Sequence, residues 1–169
     1  MNTKIDTTMD KRDLRRALGS FGTGVTVVTS GNLQSRLVGV TANSFSSVSL
    51  EPPIVLWSLV SSSPSLEVFD ATSRFVINVL ALEQMNLSKQ FSKPLEDKFT
   101  GVDYIEGLGG LPVIQNCVAT FECKTLQRTV VGDHVLFLGQ VENYVYENKT
   151  PLLFCQGNYM QVAEALLSN

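Results

Sequence analysis

Nine of the chain's 16 serines lie from Ser44 to Ser65: eight in Thr41-Ala-Asn-Ser-Phe-Ser-Ser-Val-Ser-Leu50 and Ser61-Ser-Ser-Pro-Ser65, and Ser58 in the strand that follows Glu51-Pro-Pro53 between them. Small side chains let backbone N–H groups approach a ligand, and Ser or Thr hydroxyls donate to phosphate oxygens without a basic cluster. The Ser61-Ser-Ser-Pro64 turn also opens a helical stretch, whose N-terminal end favours an anion. The plainer reading is that these serines cap a helix and fill turns, and composition alone leaves both open. The only histidine, His134, stands in Val131-Gly-Asp-His-Val-Leu-Phe137. A tight Gly132-Asp133 turn would set its ring at a rim where ligands enter. A structural histidine, with Asp133 serving the turn, is the alternative. Tyr159 in Gln156-Gly-Asn-Tyr159 reads equally as a core aromatic or a lid. Asn78, among apolar neighbours in Phe75-Val-Ile-Asn-Val-Leu80, needs amide partners, which a neighbouring strand or a ligand would supply.

Other patterns exclude chemistries. Gly19-Ser-Phe-Gly22-Thr-Gly24 contains G-x-G but precedes a strand, whereas a dinucleotide fingerprint follows a strand and opens a helix. The chain has no G-x-x-x-x-G-K-[ST], so triphosphate hydrolysis has no support. Cys117, Cys123 and Cys155 cannot all pair, form no C-x-x-C, and with one histidine give no clustered metal ligands. All three are expected to be buried in a reducing compartment, Cys117 and Cys123 on one face of a strand.

The elements that must position these residues are mostly short strands. Asp10 caps a helix running to Leu18, with Leu14 and Leu18 on one face and Lys11, Arg12, Arg15 and Arg16 in solvent. Strands follow at Val25 to Thr29, Leu37 to Thr41, Ile54 to Leu59, Phe75 to Leu80, Val118 to Leu126, Val135 to Tyr146 and Leu152 to Cys155. Helical spacing returns at Ser65 to Ala71 and Glu83 to Phe91. Asp97 to Pro112 reads as an ordered surface loop near a site, because its glycines are interleaved with Phe99, Tyr104 and Leu108. Short turns without regular strand-helix alternation argue for an antiparallel barrel. No repeat or linker divides the 169 residues, so a tail over 1–12 and a single domain over 13–169 are expected. A net charge of -3 argues against a nucleic-acid partner. The longest apolar stretches, such as Ile54 to Val60, fall short of the ~20 residues a membrane span needs, and the polar first residues lack a secretory core. A cytoplasmic location is expected.

The string Gly39-Val-Thr-Ala-Asn-Ser-Phe-Ser-Ser-Val-Ser-Leu-Glu-Pro-Pro53, then Phe75 to Leu80, Asp97-Lys-Phe99, Gly132-Asp-His134 and a closing Tyr159, resembles the flavin reductase family of short split-barrel proteins. These are the small reductase partners of two-component flavin monooxygenases. The resemblance runs in order from about Asp13 to Tyr159. It implies a mainly β fold, a six-stranded antiparallel Greek-key split barrel with a few flanking helices, assembled as a homodimer with flavin near the interface. It further implies hydride transfer from NADH or NADPH to FMN or FAD, with reduced flavin leaving for an oxygenase partner. Carried over by position, Thr41, Ala42, Asn43 and Ser44 line the isoalloxazine and ribityl chain, while Ser46 and Ser47 reach the ribityl and phosphate. Ser58 falls near the ring, Ser61, Ser62 and Ser63 match the turn approaching the phosphate, and Asn78 and Lys98 line the cleft. His134 resembles the histidine of nicotinamide docking, and Tyr159 closes the site. The segment Cys155 to Tyr159 departs from the pattern, lacking the arginine some relatives carry. Two alternatives of the same fold are a flavin-retaining oxidase akin to pyridoxamine-phosphate oxidase and a flavin- or heme-binding module with His134 as an axial ligand.

Overall fold

Three helices and twelve strands are formed by residues 9–163, the part of the chain that the structure, a computed structural model, describes. Asp10 accepts a hydrogen bond from the Arg12 N–H at 2.8 Å and starts α1 (Lys11–Gly19), as its short carboxylate at the cap predicts. Lys11 and Arg12, the end of the expected tail, thus form the first turn of a helix. The strands β1 (Thr23–Gly24), β2 (Thr26–Ser30), β3 (Val38–Ala42), β4 (Ser46–Leu50) and β5 (Pro53–Val60) follow, then α2 (Leu66–Thr72), β6 (Arg74–Val79) and α3 (Met85–Ser92). Two short strands, β7 (Tyr104–Glu106) and β8 (Pro112–Ile114), precede a long hairpin of β9 (Ala119–Val131) and β10 (His134–Tyr146). The chain then forms β11 (Leu153–Cys155) and β12 (Asn158–Met160).

The main sheet has seven strands in the order β3-β2-β6-β9-β10-β5-β4, every pair antiparallel. The seventh is β4, which runs through the serine-rich segment. Serine is a weak strand former, but pairing with β5, from Ser46 opposite Leu56 to Leu50 opposite Pro53, overrides the local preference. The outermost strands β3 and β4 are consecutive in the chain, with only Asn43, Ser44 and Phe45 between them. That short link holds the two edges of the sheet within its own span of each other, at a seam. Beside the seam the Ser44 hydroxyl continues the β4–β5 register, two residues before Ser46, accepting from the Ser58 N–H at 2.9 Å and donating to the Ser58 carbonyl at 3.1 Å. One side chain thus takes the place of a ladder residue.

Alternation on β5 buries Val55, Trp57 and Leu59, as period-two geometry requires. Trp57 stacks on Phe137 at 4.9 Å and meets Phe69 at 4.9 Å and Phe75 at 5.7 Å, filling the space inside the curled sheet. A second cluster, including Val27, Leu80, Phe91, Phe99 and Leu152, lies under α3. There α3 comes so close to β3 that a Cβ on Gly39 would run into the Phe91 ring. The loop from Asp97 is ordered as expected: Phe99 is buried, and β7 and β8 pair within it. Two expectations about the thiols need correction. Cys117 precedes β9, so it does not share a strand face with Cys123, and Cys155 is only half-buried. Burial pushes the Cys117 and Cys123 thiols up to about 12.

Candidate functional site

A cavity of about 1130 Å³ lies between α1 and the seam of the sheet. Asn43 and Ser44 form part of its wall, and Arg12, Arg15 and Arg16 line the α1 side. Spacing at i, i+3 and i+4 places the three guanidinium groups along one helix face. Among the described residues, none of the three makes an ion pair. These arginines were expected to point into solvent. They are exposed, but what they surround is the cavity, because α1 packs beside the seam with none of its residues buried. Their regular spacing ahead of Gly19 was the one sequence signal that could have found them. The wall also carries Thr23, whose Oγ1 is buried without a hydrogen-bond partner, and the apolar side chains of Leu18, Phe21 and Phe154. Cationic groups, an orphaned hydroxyl and aromatic surface together suit an aromatic ligand that carries phosphate.

Of the residues singled out in the sequence, Asn43 and Ser44 line this cavity and the others stand outside its wall. Ser58 is joined to it through Ser44. Ser46 and Ser47 continue from the link onto the exposed edge strand β4, where the Ser46 hydroxyl donates to the Ser47 carbonyl at 3.2 Å. Farther along β5, about 7 Å beyond Ser58 at the usual strand rise, Val60 pairs with His134. The Ser61 N–H donates to the Asp133 carbonyl at 2.9 Å, so the Ser61 to Ser63 turn and the histidine share one end of the sheet. Ser63 accepts from the Ser65 N–H at 3.3 Å, holding the turn that leads to α2. Gly132 takes a φ of +61°, which makes the two-residue turn between β9 and β10 possible. At its end His134 Nδ1 lies 2.7 Å from Asp133 Oδ1, leaving Nε2 clear of that contact on a half-exposed ring. The Asp133 carboxyl is held below the ordinary carboxylate range, first by the hydrogen bond with His134, then by the His134 charge, with a smaller contribution from Lys11 on α1.

A second group stands behind the cavity. The Thr41 hydroxyl donates to the Ser88 carbonyl at 2.7 Å, and the Ser88 hydroxyl and Tyr159 OH are 2.8 Å apart. The half-buried Tyr159 ring packs edge-on to Phe154 at 5.5 Å, with Lys89 Nζ 5.7 Å from its centroid. Tyr159 therefore supports the cavity wall through Phe154. Ala42 ends β3 opposite Thr26, whose hydroxyl donates to the Ala42 carbonyl at 2.7 Å. Lys98 Nζ donates to the carbonyls of Gly39 at 3.1 Å and Phe91 at 2.8 Å, tying its loop to β3 and α3. Burial, then the charge of Arg36, lowers its ammonium pKa.

Asn78 was expected to line the cleft and does not. It is fully buried on β6, with Nδ2 donating to the Val27 carbonyl at 2.9 Å and Thr29 Oγ1 at 3.0 Å, while Oδ1 accepts from the Ile114 N–H at 2.9 Å. Neighbouring strands satisfy the amide, and no atom of it is left for a ligand.

Comparison with known proteins matches residues 18–163 to the flavin reductase like domain family. The chain is 41% identical over 150 residues to a Rhizobium meliloti protein named "Probable flavin reductase", covering 89% of this chain but 48% of that one. The chain thus spans about half the length of that curated relative. It is 39% identical to the FMN reductase (NADH) SmoA of Agrobacterium fabrum, covering 89% of this chain and 85% of the relative. The structure of the Streptomyces globisporus NADH:FAD oxidoreductase SgcE6 with NAD and FAD fragments is similar, with a TM-score of 0.87 and 36% identity. That similarity covers 91% of this chain and 93% of the other.

Proposed function

The chain belongs to the flavin reductase like domain family, and from that membership we infer that it is an NAD(P)H:flavin oxidoreductase whose product is reduced flavin for a partner oxygenase. The observation that carries this reading is the convergence of Asn43, Ser44 and the α1 arginines on one cavity. FMN or FAD fits there, with aromatic side chains for the ring and donors for the phosphate. When bound, the flavin supplies an acceptor at N5 for the hydride of NADH or NADPH. The protein's part is to hold, orient and shield.

In this reading Thr41, Ala42, Asn43 and Ser44 flank the isoalloxazine and ribityl chain, with Ser58 fixed behind them by Ser44. The Asn43 to Ser47 backbone N–H groups supply dipoles toward the ring's developing negative charge. Ser46 and Ser47 serve the ribityl and phosphate, and Ser61, Ser62 and Ser63 approach the phosphate. His134, fixed at Nδ1 by Asp133, presents Nε2 to the nicotinamide. Lys98 and Tyr159 position β3, α3 and Phe154 rather than touch the ligand.

The same reading takes residues 13–169 as one domain, the curled sheet as a split barrel with a six-strand Greek-key core, and the assembly as a homodimer. Exposed Tyr144, Val145 and Tyr146 at the end of β10 away from the turn support a covered surface there. Free thiols support a cytoplasmic site of action, and no helix among the described residues is long and apolar enough to cross a membrane. The test is NADH and NADPH oxidation with FMN, FAD and riboflavin added in turn. Turnover that depends on added flavin is expected; no oxidation with any pairing would end the proposal.

A further inference from the structure

We propose that Arg12, Arg15 and Arg16 form a diphosphate-binding subsite, so that the chain is built for a ligand in dinucleotide form. The inference rests on the reductase reading only for which dinucleotides are offered to it. The chain carries 16 acidic against 13 basic side chains, yet three arginines and no acidic residue line this cavity. Asp10 is engaged in capping the Arg12 N–H, and Asp13, the acidic residue of the first turn of α1, neither lines the cavity nor makes an ion pair among the described residues. Three like charges on one helix face repel one another, and among the described residues no carboxylate offsets them. An anion of more than one charge would.

The planar guanidinium fork matches phosphate oxygens two at a time, and i, i+3, i+4 spacing offers forks along a line rather than at a point. A single phosphate would engage one end of that line, and a diphosphate spans it. The orphaned Thr23 hydroxyl on the same wall supplies a donor without a partner. A volume of about 1130 Å³ is at the upper end for a small-molecule site, leaving room for a second nucleoside. Phe21, exposed beside the arginines, gives an adenine ring a face to stack on. The dinucleotide is FAD, NAD(P)H or both, since each carries the same adenosine diphosphate half.

The experiment replaces Arg12→Gln, Arg15→Gln and Arg16→Gln together and, separately, Arg12→Lys, Arg15→Lys and Arg16→Lys. Dissociation constants are measured by flavin fluorescence for FAD, FMN and riboflavin and by calorimetry for ADP-ribose, with light scattering for the assembly state. In the glutamine variant, affinity for FAD, for ADP-ribose or for both should fall by about tenfold or more, while riboflavin binding stays within about twofold. The lysine variant should recover part of the loss, because it keeps charge without the fork. A fall confined to FAD assigns the subsite to the flavin, and one confined to ADP-ribose assigns it to the nicotinamide dinucleotide; either supports the proposal. Unchanged FAD and ADP-ribose binding overturns it, and so does an equal fall for FMN and FAD with ADP-ribose unaffected, which would mark a monophosphate site. If both variants lose riboflavin as well and change mass, α1 serves assembly and the proposal also fails. Arginine-dependent binding of FAD or ADP-ribose in a protein that oxidises no NAD(P)H would leave the subsite standing and remove the reductase reading.

Discussion

Asn78 and the α1 arginines both carry several hydrogen-bonding groups, and they are treated in opposite ways. Around Asn78 two strands, β2 and β8, contribute partners until the amide is satisfied: the Val27 carbonyl, the Thr29 hydroxyl and the Ile114 N–H. Around the cavity, among the described residues, Arg12, Arg15 and Arg16 are left without ion pairs and Thr23 Oγ1 without a partner. A buried polar group that is fully engaged holds a fold together, because water cannot replace what a mutation removes. Polar groups left unengaged beside a cavity contribute little to folding and are available to a ligand.

The sharpest way to test that contrast is with the thiols, which divide between the two regions. Cys117 and Cys123 are buried and pushed up to about 12, whereas Cys155 sits half-buried beside Gly22, next to the cavity. At pH 8 the buried pair should be roughly 10⁴-fold depleted in thiolate, so maleimide should label Cys155 alone in the native state and all three after unfolding. The sign for stability follows. Unfolded thiols ionise from near pH 9.0 while the native pair keeps its protons to about 12, so stability should fall with rising pH across that window. Labelling of Cys123 at the rate of Cys155 would contradict a closed interior.

Next in size is Asn78→Leu. It leaves the Ile114 N–H and the Val27 carbonyl without their partner in a dry interior, which should cost about 2–5 kcal/mol in urea unfolding. A variant as stable as the parent would break the comparison at its buried end. Ser44→Ala comes third. Removing a hydroxyl that makes two hydrogen bonds beside the seam should cost roughly 1–2 kcal/mol and weaken flavin binding as well. A stability loss with unchanged flavin affinity would separate the seam from the site. The smallest effect is expected at His134→Ala, whose ring is half-exposed. The KM for NAD(P)H should rise by about tenfold or less, with flavin affinity and melting temperature unmoved. Unfolding, or loss of flavin, would instead make the histidine structural.

What could be read from the chain was what depends on near neighbours. The Asp10 cap, the β-branched strands, the Gly132-Asp133 turn and the Ser63 contact at the head of α2 are all decided within a few residues. Strand β4 was not legible, because Ser46 to Leu50 becomes a strand only by pairing with β5. The hydroxyl bridge from Ser44 to Ser58 extends that same pairing by two residues. The arginines are exposed, as the sequence indicates, but their place on a cavity wall was not legible: a solvent face and a cavity wall have the same pattern along a helix, and only the placement of α1 beside Asn43 tells them apart. Asn78 was read as open to either kind of partner, and the neighbouring strands turned out to supply them all.

The link from Asn43 to Phe45 carries a further consequence, one of timing. Its flanking strands are neighbours in sequence but opposite edges of the sheet, so it reaches its native shape only after β2, β6, β9, β10 and β5 have assembled in order between them. Closing so many distant pairings is the slow part of folding for a β-rich chain. Trp57, deep among Phe69, Phe75 and Phe137, can be enclosed before that last closure. Ligand binding is therefore a late arrival during refolding, and a chain able to bind is one whose sheet has already been completed from edge to edge.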